Sequence, residues 1–200
     1  MIKIIDYAAG NAPSVLNAIE HMGYKASLCR TPSDLEDATH IILPGVGSAR
    51  ATIDSLLEMN ILSELEKAVL VDKVPFLGIC VGLQILFDFS EEENTVCLGW
   101  LKGRVVKFDQ NLTRVPQMGW NKVTFQKNIP YSLKSSYFYF VNSYHALPED
   151  ESVVWGVSHY GVPFTAAINK ENIYATQFHV EKSGAAGLSL LEYFIHLTKE

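Results

Sequence analysis

Phe76-Leu77-Gly78-Ile79-Cys80-Val81-Gly82 is the stretch on which the reading of the fold turns. Pro75 opens it, a short apolar run follows, and then comes the pattern G-x-C-x-G. Leu83, Ile85, Leu86 and Phe87 continue it at helical spacing. Strand, tight turn and helix in that order form an elbow with cysteine at its apex. Such a turn is sharp and often strained, which accounts for the flanking glycines. It lifts the side chain above the sheet and sets the sulfur at a helix N-terminus, where the dipole favours thiolate. The N–H of Val81 then points to where an acyl oxyanion would form. The bland alternative is a small buried cysteine in a strand-to-helix turn. A thiol alone does no directed chemistry.

Upstream of the elbow, strand and helix signals alternate. Ile2 to Ile5 is a short apolar run. Ser14 can cap a helix carrying Val15, Leu16, Ala18, Ile19 and Met22, and Gly23 can stop it. Residues 25–29 read as the next strand, and Ile41-Ile42-Leu43 as another, ended by Pro44-Gly45. A single helix is predicted over 51–71. Apolar runs separated by amphipathic helices are the signature of βαβ units around a buried parallel sheet.

Downstream the pattern changes. Residues 99–167 carry little helical periodicity, and short β-rich runs recur at 105–106, 122–125, 137–141, 153–157 and 164–168. These predict added, largely antiparallel strands. A last helix is predicted over 184–198. The expected class is α/β with a mostly parallel central sheet, in one domain spanning 1–200.

A second cluster bears on the elbow. Gln177-Phe178-His179-Val180-Glu181 follows the strand-like Ile173-Tyr174-Ala175-Thr176. In extended chain, residues i and i+2 project to one side. His179 and Glu181 can then face one site, or the carboxylate can reach the ring through a local bend. H-x-E alone is common by chance and equally fits a polar edge strand. Joined to the cysteine about 100 residues upstream, it makes a Cys80–His179–Glu181 triad. The other histidines are scattered and none has metal-ligand spacing, so no metal and no cofactor is expected.

Bulk properties bound the partners. A chain of 200 residues buries about 70% of its unfolded surface. Its net charge of -6 gives no global basic field for nucleic acid or an anionic membrane. Its three cysteines, Cys29, Cys80 and Cys97, are too widely spaced and too few for a disulfide framework. No run approaches the ~20 apolar residues of a membrane span, and no signal-peptide pattern opens the chain, so a cytoplasmic protein is expected.

The residues resemble a known family. LGICVGLQ (Leu77 to Gln84) with QFHVEKSG (Gln177 to Gly184) is similar to the class I, or triad, glutamine amidotransferases. IIDYAAGN (Ile4 to Asn11), LPGVGSA (Leu43 to Ala49), VPQMGWN (Val115 to Asn121) and YFVNSYHA (Tyr139 to Ala146) narrow it further. They resemble, in that order, the glutaminase subunits of imidazole glycerol phosphate synthase. The resemblance implies a three-layer fold and a glutaminase. Cys80 would attack the glutamine side-chain amide, His179 relay protons and Glu181 orient His179. Val46, Gly47 and Val81 would form the oxyanion site. Gly47, Gln84, Glu92, Asn142, Ser143 and Tyr144 would line the glutamine pocket. Asn11, Met118, Trp120, Tyr139 and Lys182 would lie toward a (β/α)8-barrel cyclase subunit in a heterodimer. That subunit would use the ammonia to make imidazole glycerol phosphate and AICAR in histidine biosynthesis.

The chain departs from the family pattern at several positions. Val180 stands where proline is usual, and Ala8 where glycine is. Ala12-Pro13 replaces Leu-Arg, Asn142 a frequent histidine, and an aromatic is usual near Arg50. Two other functions compete. A paralogous subunit would feed ammonia to amidation of a cell-surface sugar. A nucleotide-binding module would use Gly45-Val46-Gly47 as a Rossmann glycine turn, although Arg50 occupies the third small position and the turn is not the first βα turn of the chain.

Overall fold

The computed structural model describes residues 1–7, 10–126 and 129–198. Ala8 and its departure from the family pattern lie outside the described residues. The first half builds a parallel sheet. β1 (Ile2–Ile5), β2 (Ala26–Cys29), β3 (His40–Gly45) and β4 (Phe76–Cys80) pair in the order β2-β1-β3-β4. β1, β3 and β4 are buried at every position, as strands covered on both faces must be. The helices between them are α1 (Ala12–His21), α2 (Ala49–Glu58) and α3 (Leu62–Glu66). After the elbow come the single-turn α4 (Val81–Gln84) and the short strands β5 (Phe89–Ser90) and β6 (Thr95–Val96).

The remaining strands are β7 (Gly103–Lys107), β8 (Gln117–Phe125), β9 (Ser135–Asn142), β10 (Tyr144–Pro148), β11 (Val154–Tyr160), β12 (Val162–Lys170) and β13 (Ile173–Thr176). The hairpins β8–β9 and β11–β12, and the pairings of β10 and β12, are antiparallel. β13 turns back into the first half and pairs parallel with β4, Ala175 beside Gly78 and Thr176 beside Ile79. α5 (Gly184–Ile195) follows. This α/β architecture, parallel at its centre with antiparallel additions, matches the expected class.

Several local expectations fail for identifiable reasons. The helix predicted over 51–71 is broken at Asn60, whose φ of 52° is left-handed, and its last stretch, Lys67–Val71, is a π turn. α1 starts at Ala12, with Asn11 and not Ser14 at the cap position; Pro13 fits its first turn, where the missing N–H costs nothing. β3 does not stop before Pro44-Gly45, since Pro44 pairs with Ile79 and Gly45 with Cys80. The helix after the elbow lasts one turn. The carbonyls of Ile85, Leu86 and Phe87 are taken instead by the amides of Leu98, Leu101 and Gly99. The dipole of a long helix is therefore not available to Cys80.

The core is continuous across both halves. In the second half it is aromatic: Phe178 stacks on Phe138 with centroids 4.1 Å apart, and Phe125 and Trp155 meet edge-to-face at 4.8 Å. Side chains alternate along an extended chain. Phe178 thus anchors its segment in the core while Gln177 and His179 turn toward the elbow.

Candidate active site

Two registers bring the site together. β3 against β4 sets Gly45 beside Cys80, so Val46 and Gly47 leave the sheet next to the sulfur. β13 against β4 brings Gln177 to His179 off the sheet end on the other side.

The elbow is held by contact distances that only glycine permits. A Cβ on Gly82 would stand 2.1 Å from the Leu43 carbonyl oxygen, and one on Gly78 2.5 Å from that of Gly82. Strand, elbow and neighbouring strand are thereby locked backbone to backbone. Cys80 itself has φ 57° and ψ -106°, a conformation that L-residues rarely adopt and that costs about 1–3 kcal/mol. The surrounding contacts hold it there.

His179 is buried, and its Nδ1 lies 2.9 Å from Oε1 of Glu181, whose side chain is 1% exposed. The link does not run along an extended strand. β13 ends at Thr176, and Val180–Lys182 form a 3-10 turn that swings the carboxylate back under the ring. The local bend, and not the i, i+2 alternation, does the work. Burial opposes protonation of His179, but the adjoining Cys80 and Glu181 side chains outweigh it and push the imidazole up to about 10. Burial likewise opposes ionisation of Glu181, and the His179 hydrogen bond reverses that, holding the carboxyl below its ordinary range.

A cavity of about 320 Å³ opens above this pair, within the small-molecule range of roughly 300–1,000 Å³. Cys80, His179 and Val81 border it at one end, with Val46 and Gly47 beside them. Gly47 has φ +93°, which favours glycine in this turn. Gln84, Glu92, Asn142, Ser143 and Tyr144 border the remainder. Oε2 of Glu92 accepts from the Ala49 amide at 2.9 Å, and burial raises its carboxyl pKa. The glycine turn at 45–47 thus faces a thiol and an imidazole.

The five residues expected toward a partner divide. Met118 and Trp120 are 67% and 54% exposed on β8, and Trp120 meets Tyr139 of β9 edge-to-face at 5.9 Å. Lys182 borders the cavity. Asn11 is drawn into the triad: its Nδ2 donates to Oε1 of Glu181 at 2.8 Å, and its Oδ1 accepts from Ser14 Oγ at 2.7 Å.

Sequence reading missed two residues. Ser183 accepts from the Tyr139 amide at 2.9 Å and donates to the His179 carbonyl at 2.6 Å. Together with the His179 amide on the Tyr139 carbonyl at 2.9 Å, it stitches the histidine backbone to β9. Gln177, wholly buried, places Nε2 3.7 Å from the Cys80 sulfur. Both lie inside the quoted QFHVEKSG stretch; position within it was the only available signal. Among the described residues no group of three His, Cys, Asp or Glu is placed to hold a metal ion.

Known proteins resemble this chain over nearly its whole length. The family described as "Glutamine amidotransferase class-I" matches residues 3–197. The imidazole glycerol phosphate synthase subunit HisH of Methanocaldococcus jannaschii is 44% identical over 201 residues, covering 98% of this chain and all of that one. The chloroplastic imidazole glycerol phosphate synthase hisHF of Arabidopsis thaliana is 41% identical over 98% of this chain, which corresponds to 34% of that longer protein. A crystal structure of a glutamine amidotransferase superposes with a TM-score of 0.78 at 20% identity, covering 97% of this chain and 96% of that one, a likeness of fold. With likeness that runs almost from end to end, the chain belongs to the class I glutamine amidotransferases and, within them, to the HisH subunits of imidazole glycerol phosphate synthase.

Proposed function

We propose that the chain hydrolyses glutamine to glutamate and ammonia through a thioester on Cys80, and passes the ammonia to a cyclase subunit that makes imidazole glycerol phosphate and AICAR. The ring-forming, carbon–nitrogen-cleaving chemistry belongs to that partner. One observation carries the reading of the site: a cysteine strained at an elbow shares a cavity with a buried histidine that is ion-paired to a glutamate.

The chemistry follows from the charges. A His179 that holds its proton at neutral pH, beside Cys80, suits a thiolate–imidazolium pair. Sulfur attacks the amide carbon, and the oxyanion is received by the turn at Val46-Gly47 and the N–H of Val81. The imidazolium gives its proton to the departing nitrogen, and ammonia leaves. Neutral His179 then takes a proton from water, which attacks the thioester and releases glutamate. Glu181 keeps the ring in register and compensates its charge throughout. Glu92 supplies the negative charge that the α-ammonium of glutamine needs.

Met118, Trp120 and Tyr139 offer the partner an outward apolar face on β8 and β9, next to the segment that carries His179. The test is a glutaminase assay with and without the cyclase subunit and an analogue of its substrate. Cys80→Ala is expected to abolish glutaminase activity yet leave ammonia-driven synthesis by the complex intact; loss of both would make Cys80 structural. A pair that makes no imidazole glycerol phosphate from glutamine would redirect the ammonia to another acceptor, sugar amidation first among them.

A further inference from the structure

A chain of amides runs inward from the cavity: Gln84 and Asn142 border it, and Gln177, wholly buried, does not. The Tyr144 carbonyl accepts from Nε2 of Gln84 at 3.2 Å and from Nδ2 of Asn142 at 2.9 Å. A carbonyl only accepts, so the Gln84 atom facing it is the NH2 group. That same nitrogen lies 3.1 Å from the side chain of Gln177 and must donate there too, which makes the facing Gln177 atom Oε1. The NH2 of Gln177 is thereby forced toward Cys80, where Nε2 sits 3.7 Å from Sγ, a contact distance for the large sulfur atom. An amide that could flip in isolation has one orientation here, fixed by a backbone carbonyl two links away.

Resting on the reading of Cys80 as nucleophile, we propose that Gln177 is a catalytic hydrogen-bond donor to the Cys80 sulfur, oriented by Gln84. It acts twice. Before attack, its N–H holds the thiolate lone pairs and fixes the sulfur's direction. During deacylation, water oxygen bonds to the thioester carbon and a water proton passes to His179. The C–S bond breaks, its electron pair returns to sulfur, and the new carboxylic acid loses its proton to solvent. The Gln177 N–H stabilises the departing sulfur without giving up its proton, because an amide does not ionise in this range. The two donors to sulfur therefore divide the work: His179 transfers protons, Gln177 does not.

Other charged or ionisable groups near the sulfur leave this task unfilled. Glu181 acts through His179. Tyr7, pushed up to about 12 chiefly by burial, gives its hydroxyl proton to the Pro44 carbonyl at 2.8 Å. Glu92 and Lys182 border the cavity, not the back of the elbow.

The test is the rate of iodoacetamide alkylation of Cys80 against pH in the full chain without glutamine, with Cys80→Ala giving the background from Cys29 and Cys97. Gln177→Met keeps the length and removes the donor. Gln177→Asn keeps the amide but is one methylene too short to span Gln84 and the sulfur. Both are expected to slow alkylation at neutral pH about tenfold, the worth of a hydrogen bond to a charged group, and to move the profile to higher pH. A wild-type profile in either folded variant overturns the proposal. The outcome is independent of turnover: if Cys80→Ala kept glutaminase activity, the nucleophile reading would fail, whatever the Gln177 variants did.

Discussion

The two sides of the cavity are held in place by different forces. On the Cys80 side, Gly78 and Gly82 let backbone press on backbone, and the position of the sulfur is a matter of excluded volume. On the His179 side, the chain has left the sheet, and hydrogen bonds from Tyr139, Ser183 and Asn11 hold it. Steric locking is local and all-or-none. Hydrogen-bonded positioning is spread over segments far apart in sequence and fails by degrees. One contact crosses the division: a Cβ on Gly187 of α5 would stand 1.9 Å from the Val180 carbonyl oxygen, so the histidine side also has one steric stop.

The sharpest way to break this contrast is Gly82→Ala. Its methyl has only the Leu43 backbone to displace, so a destabilisation on the order of 4 kcal/mol or more is expected. Recovery of soluble protein and its thermal midpoint check this; an active, wild-type-stable variant would show that the elbow yields. His179→Asn should leave the fold intact and lower glutaminase turnover by roughly 10²–10⁴-fold, the range for a lost proton-transfer group.

The same variant tests the charge balance. The folded pKa of His179 is raised to about 10, so its stabilising contribution is whole below the ordinary histidine value of about 6.5 and is lost as pH rises through about 10. Glu181, held below its ordinary range, contributes above about 4.5 and loses that as pH falls. Burial lowers His40 and His145, which act in the opposite sense to His179. The difference between wild type and His179→Asn removes them. It should shrink between neutral pH and about 10 in thermal melts, where each kcal/mol is worth about 2–4 °C. A difference that is flat over that range would contradict the raised pKa.

Ser183→Ala tests the softer side. Losing the link between the Tyr139 amide and the His179 carbonyl should cost about 1–2 kcal/mol and lower turnover while leaving iodoacetamide alkylation of Cys80 close to wild type. Val180→Pro is the smallest change. His179 has φ -84° and ψ 103°, the extended backbone that a following proline requires, and Val180 opens a 3-10 turn where proline fits. A gain of about 0.4–1 kcal/mol in a denaturant titration is expected; a loss would mean that the turn depends on the Val180 amide.

The same division explains what could be read in the sequence. The elbow and the strands β1, β4 and β13 were legible because short apolar runs and flanking glycines are local signals. Asn11 was expected at a partner face, since nothing local ties residue 11 to residue 181. Gln177 and Ser183 went unassigned because Gln177 meets Cys80 and, on α4, Gln84, and Ser183 meets Tyr139 of β9, all distant in sequence. The break at Asn60 was invisible because an asparagine in a polar face does not interrupt apolar periodicity. Lys182 was set apart from the cavity because a 3-10 turn inside a five-residue motif redirects side chains that a strand would have alternated.

The left-handed backbone at Cys80 has a consequence for how the sequence can drift. Glycine would occupy φ 57° without steric strain, so Cys80→Gly relieves about 1–3 kcal/mol, offset in part by glycine's backbone entropy of about 0.5–1 kcal/mol and by the lost packing of the side chain. On the reading of Cys80 as nucleophile, chemistry and not backbone preference favours the thiol at position 80, and a copy released from glutamine hydrolysis would have no backbone reason to keep it.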